Sequence, residues 1–166
     1  MAVDFTLRLE EAMTYLHKQG AFLTVKNNDV VNTMTISWGN IGFEWNKPIF
    51  TVLVRESRYT YELMEKASEF TVSIPLSDSL KAALAFCGSK SGRDVDKFKE
   101  CNLSLESGKS VETPIISDCE LHYECKIVYK QAMDPEMLSD EIKNSSYKNG
   151  NYHTIYYGEI INCYIK

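Results

Sequence analysis

Apolar residues at Leu7, Leu9, Ala12, Met13 and Leu16 recur with a helical rhythm, which predicts an N-terminal helix that Gly20 stops. The period then changes. "AFLTVKN" at 21–27 reads as a short strand, and "NND" at 27–29 as a turn into a second strand, so the two form a hairpin. That second strand, "NTMTISWG" at 32–39, alternates strictly: Asn32, Met34, Ile36 and Trp38 share one side, Thr33, Thr35, Ser37 and Gly39 the other. "PIFTVLVRE" at 48–56 is apolar and β-branched throughout, as for a strand buried on both faces. A short helix follows over about 60–67, then a strand "EFTVSIP" at 69–75, ended by Pro75. Helical spacing returns from Ser79 to Phe86, "GSKSG" at 88–92 reads as a loop, and Asp94 is placed to cap a short helix through Phe98. A long strand at 119–133 precedes "DPEMLSDEIKN", where Asp134 as N-cap and Pro135 in the first turn open a helix. "YKNGNY" is a turn, and "HTIYYGEIINCYI" is the closing strand. About six mostly consecutive strands with short helices between them favour a closed or partly closed barrel over a doubly wound parallel sheet.

Composition narrows the function classes. The chain has 166 residues, 44% hydrophobic and 25% charged, which suits one globular domain over residues 1–166. A formal net charge of -5 argues against a nucleic-acid binder, and no apolar run reaches the length of a membrane span, so neither nucleic acid nor membrane is expected as a partner. The N-terminus has early acids and no long apolar stretch, which makes the cytoplasm the expected location. Five scattered cysteines without a C-x-x-C pair, and three distant histidines, predict neither a disulfide framework nor a metal site. No G-x-G-x-x-G or P-loop is present.

Three segments carry candidate chemistry. On 32–39 the second face is low, hydroxylated and uncharged, where a half-exposed strand ordinarily turns charged or bulky polar groups to water. In "RESRYT" at 55–60, two arginines, Ser57 and Thr60 gather where a strand gives way to a helix. Guanidinium binds phosphate oxygens in a fixed fork, so this suits a monophosphate; simple helix capping with the arginines paired to surface acids is the competing reading. "CGSKSGRDVDKF" at 87–98 concentrates Lys90, Arg93 and Lys97 beside a glycine–serine loop, which reads either as a solvated basic surface or as part of an anion site. Together the three would accommodate a flat, phosphorylated cofactor.

These stretches, with "RESRYTYELM", "EFTVSIP" and "YHTIYYGEI", occur in an order that resembles the flavin reductase-like family over roughly residues 10–166. The resemblance implies a mainly β fold with peripheral helices: a six-stranded Greek-key split β-barrel of the FMN-binding type, including flavoredoxin-like members. It implies a homodimer with one FMN per subunit near the dimer interface. Residue by residue, it puts Thr33, Met34, Thr35, Ser37 and Trp38 beside the flavin, and Arg55, Ser57, Arg58 and Thr60 around its phosphate and ribityl chain. It puts Ser91, Gly92 and Lys97 near the cofactor, and His153 close to the ring. Cys87 adjoins this loop and reads equally well as a packed core thiol. The expected activity is that of an NAD(P)H-dependent flavin reductase with hydride transfer to flavin N5, no certain catalytic side chain, and Lys97 or His153 tuning the ring. An electron-transfer flavoprotein reduced by a redox protein partner, and a dimeric module that has lost flavin, are the alternatives.

Overall fold

The computed structural model describes residues 2–166. In chain order it comprises α1 (Leu9–Lys18), β1 (Ala21–Asn27), β2 (Val30–Ile36), β3 (Gly39–Glu44), β4 (Lys47–Arg55), α2 (Tyr59–Met64) and β5 (Glu69–Ile74). Then come α3 (Lys81–Ser89), α4 (Lys97–Glu100), β6 (Leu105–Glu106), β7 (Ile115–Ile116), β8 (Leu121–Ala132), α5 (Asp140–Ser146) and β9 (His153–Ile165). Seven strands form one antiparallel sheet in the order β2-β1-β5-β8-β9-β4-β3, and β6 pairs with β7 apart from it. The non-consecutive neighbours β1–β5, β5–β8 and β4–β9 carry the crossovers that a Greek-key arrangement requires.

The sheet cannot be flat. Its two edges, β2 and β3, are separated in sequence only by Ser37 and Trp38. Successive Cα atoms lie about 3.8 Å apart, so Ile36 and Gly39 are at most about 11 Å from each other. The sheet therefore curls enough to bring the end of β2 beside the start of β3, and since no ladder joins these two edges the barrel stays split. This corrects the expectation of six strands. The stretch 32–39 is not one strand but the end of β2, a two-residue break and the first residue of β3. With Gly39, Asn40 and Gly42, β3 has little strand propensity of its own. It is held by its ladder to β4 and by the Trp45–Asn46 turn, whose φ values of 53° and 57° match the right-handed twist of a two-residue hairpin.

Period-two alternation decides the layers. Ala21, Leu23 and Val25 of β1, with Met34 and Ile36 of β2, join Phe50, Val52, Val54, Phe70, Val72, Ile74, Tyr123 and Tyr156 in the barrel core. Phe22 has the other parity and packs outside, against Leu84 and Cys87 of α3 and against Leu103, Ile116 and Cys119. The hydroxyls of β2 also belong to this outer layer. Thr33 is fully buried, its Oγ1 donating to the Leu23 carbonyl at 3.1 Å and accepting from Thr24 at 3.1 Å. Thr35 Oγ1 donates to the Leu84 carbonyl at 2.6 Å. The small face is thus the bed of α3, which approaches closely because nothing large intervenes.

Three local expectations change. Asp96, not Asp94, caps α4, its carboxylate accepting from the N–H groups of Phe98 and Lys99. Gly88 and Ser89 extend α3 rather than opening a loop. Asp134 caps only a single 3₁₀ turn, Pro135–Met137, and α5 starts afresh with Ser139 as its cap.

The interior also fixes a pH response. His122 is fully buried, with Nδ1 3.1 Å from Ser73 Oγ and Nε2 3.0 Å from the Cys119 carbonyl. Burial pushes its pKa down to about 4 from an ordinary 6.5. Between those values the unfolded chain binds the proton and the folded one does not, so stability falls as pH drops through this window. Urea unfolding at about pH 5 should show about 1–2 kcal/mol less stability than at neutrality from this group; an unchanged midpoint would contradict the buried, neutral assignment.

Candidate functional site

The β4–β9 ladder sets Arg55 directly opposite His153. Three residues on, Arg58 has extended backbone (φ -76°, ψ 143°) and leads into α2 without a side-chain cap, leaving its guanidinium free to turn elsewhere. At the split, β2, the Ser37–Trp38 link, β4 and β9 enclose a pocket of about 190 Å³. Met34, Thr35, Ser37, Trp38, Arg55, Arg58 and His153 line it. A second pocket of about 130 Å³ lies between α2 and the segment after α3, lined by Asn32, Met34, Ser57, Arg58, Thr60, Ser91, Gly92 and Lys97 among others. Met34 and Arg58 line both, so the two pockets adjoin as the lobes of a groove, with Arg58 at their shared wall.

Of the residues picked from the sequence, the structure brings every one to this groove except Thr33. Its side chain is sealed under α3, and only its carbonyl contributes, accepting from Lys97 Nζ at 2.8 Å. Thr35 does line the groove, at its rim and half-buried, with its hydroxyl donated to the Leu84 carbonyl. Thr60 is buried and accepts a hydrogen bond from Asn32 Nδ2 at 2.9 Å, whereas Ser57 is exposed. Gly92 passes so close to β2 that a Cβ there would lie 2.0 Å from Asn32 Oδ1 and 3.2 Å from Tyr59 Cδ1.

The electrostatics are asymmetric. Arg55 donates to the carbonyls of Asn151 at 2.7 Å and Ser146 at 3.3 Å, and Arg58 to that of Gly88 at 3.2 Å. Lys97 is buried, with Nζ on the carbonyls of Thr33 and Cys87 at 2.8 and 2.9 Å. Among the described residues no carboxylate lies within 4.0 Å of any of these three cations, although the chain carries an excess of acids. Arg93, at the groove's outer wall, is paired with Glu62 instead. Burial lowers the Lys97 pKa, and Arg58 adds to that. His153 is pushed down to about 4, first by burial and then by Arg55 and Arg58, and is uncharged at neutral pH. Cationic groups clustered without counter-charge are costly unless an anion joins them. Cys87 is a free, buried thiol pushed up to about 12 by burial, and packs as a core residue.

Asn32 and Tyr147 carry no expectation from the sequence: Asn32 lines the groove, and Tyr147 stands buried behind it against His153. Asn32 was counted with the apolar side of β2, and a polar residue breaking that side was the available signal. Tyr147 sat in a segment read only as a turn; its hydroxyl lies 2.7 Å from His153 Nδ1.

Comparison with known proteins follows the same outline. Residues 13–166 match a protein-family model described as flavin reductase like domain. An uncharacterized protein of Archaeoglobus fulgidus is 27% identical over 149 residues, 90% of this chain and 73% of that one. Among solved structures, the flavoredoxin of Desulfovibrio vulgaris (Miyazaki F) superposes with a TM-score of 0.70 at 23% identity, covering 89% of this chain and 69% of that one. The FMN-binding protein of Thermus thermophilus with bound 1-cyclohex-2-enone gives 0.67 at 23% identity, covering 87% and 68%.

Proposed function

This chain belongs to the flavin reductase-like domain family, and from that premise we propose that its groove binds FMN and that it works as an NAD(P)H-dependent flavin oxidoreductase. The observation that carries the reading is the set of Arg55, Arg58 and Lys97 around one groove with no carboxylate among them. A phosphate dianion is the counter-charge this arrangement lacks, and a riboflavin 5'-phosphate is elongated as the two-lobed groove is. The FMN named for the Thermus thermophilus protein supports the same ligand.

FMN, when bound, would supply the redox chemistry, with N5 as the hydride-accepting position. The chain's own residues bind and orient. Arg58, with Ser57 and Thr60, would hold the phosphate end, since guanidinium and hydroxyl donors match its oxygens. Lys97, clamped on two carbonyls, keeps the segment after α3 against β2 and adds positive potential. Arg55 ties down the turn that precedes β9 and so fixes where His153 stands. Trp38 remains 46% exposed at the groove's mouth, a surface that a second copy of the chain would cover in the homodimer proposed here.

Anaerobic stopped-flow mixing of the flavin-loaded protein with NADH and with NADPH tests the donor. Rapid loss of the yellow absorbance with at least one nucleotide is expected. A spectrum untouched by both would overturn direct reduction and favour a protein donor.

A further inference from the structure

We propose that Tyr147 is a positioning residue that holds His153 as its Nε2–H tautomer, so that the groove receives an uncharged N–H donor rather than a base. The inference rests on the function proposed above only for what accepts that hydrogen bond; the tautomer itself follows from donor counting. Tyr147 follows α5 and is 4% exposed. Its hydroxyl has His153 Nδ1, at 2.7 Å, as its partner among the described residues. If Nδ1 carried the ring proton and donated to the tyrosine oxygen, the hydroxyl proton would be buried with no acceptor, which disfavours that arrangement by about tenfold or more. If the tyrosine donates to Nδ1, both groups are satisfied and the ring proton must sit on Nε2.

The surroundings keep this pair in place. Arg55 lies 5.2 Å from the Tyr147 ring centroid, on the side set by its bonds to Asn151 and Ser146. Tyr152 stacks on Tyr147 at 5.1 Å with an interplanar angle of 27°. Trp38 packs beside the imidazole, centroids 5.4 Å apart. The titratable or charged groups that face His153 are Arg55 from β4, Arg58 ahead of α2 and Tyr147; none is a carboxylate that could stabilise an imidazolium. Burial of Tyr147 raises its pKa, against a smaller opposing effect of Arg55, so the phenol keeps the proton it must donate. Among the described residues Nε2 has no hydrogen-bond partner, and the ring lines the groove. A neutral imidazole offering N–H suits an acceptor atom, a ring nitrogen or carbonyl oxygen of a bound heterocycle, and strengthens as that atom gains electron density.

The test uses the ¹⁵N-labelled full chain without flavin, so its outcome is independent of whether FMN binds; a flavin titration on the same sample reads that separately. Long-range ¹H–¹⁵N correlation near neutral pH should show His153 with a protonated-type Nε2 and an unprotonated Nδ1. In Tyr147→Phe the bias should fall by about tenfold, giving a mixture of tautomers. An Nδ1–H signal in the wild type, or identical tautomer populations in both proteins, would overturn the proposal. Should the variant not fold, the wild type still decides: a protected Tyr147 hydroxyl proton with a cross-peak to the His153 ring supports the assignment, and its absence rejects it.

Discussion

Replacing Arg58 with alanine is expected to weaken FMN binding by more than tenfold while leaving thermal stability nearly unchanged. Arg58 lines both lobes of the groove, has no carboxylate partner, and spends one N–H on the Gly88 carbonyl at 3.2 Å. Its remaining donors are the ones a phosphate would use. A hydrogen bond to a charged group contributes about 1.5–3 kcal/mol, which corresponds to roughly ten- to a hundredfold or more in affinity. Arg93→Ala is the matched comparison. Arg93 is of the same type and lines the same lobe, but it is exposed and already paired with Glu62. An exposed pair is worth at most about 1 kcal/mol, so its loss should change affinity by only a few-fold. Fluorescence titration of both variants reads the contrast. Equal losses would mean that the groove's charge, not Arg58 in its place, governs binding.

The second large effect concerns the fold. Gly158 of β9 opposes Phe50 on β4 and Ile127 on β8, in the middle of the sheet. A Cβ there would lie 2.4 Å from Phe70 Cζ, 2.6 Å from Phe70 Cε1 and 2.8 Å from Cys125 Cβ. Both neighbours are fully buried, and the cysteine atom is attached directly to backbone, so neither can yield cheaply. Gly158→Ala should cost about 2–3 kcal/mol, the upper part of the roughly 1–3 kcal/mol typical of overpacking a filled core. For a domain of this size that corresponds to a fall in Tm of roughly 5–10 °C by differential scanning calorimetry. A variant as stable as the wild type would show that β9 does not press on Phe70 as described.

The strong periodicities were legible in the sequence. β1, β4, β5, β8 and β9 all lie where alternation or apolar runs place strands, because their two faces meet different layers. β3 was hidden: with two glycines and an asparagine it owes its form to the ladder with β4, a tertiary effect that no local pattern reports. The break after Ile36 was hidden for the opposite reason, since the alternation of 32–39 continues through Trp38 while the backbone does not. That same alternation does not tell what covers Thr33 and Thr35. Small hydroxyls leave room for a flat ligand or for a helix, and only packing shows that α3 fills it. The arginine corner was legible because residue type and position carry it: Arg55 and Arg58 stand at a strand end and a helix start, and those boundaries were themselves readable. Tyr147 was not, because its role depends on a hydrogen bond across the turn to His153, not on its neighbours in sequence.

The central claim is that this groove holds a flavin by its phosphate. Parallel titration of the wild-type protein with FMN and with riboflavin, which share every atom except that group, addresses it most directly. The account predicts that FMN binds at least tenfold more tightly and that rising salt narrows the gap; equal affinities for the two flavins would contradict it.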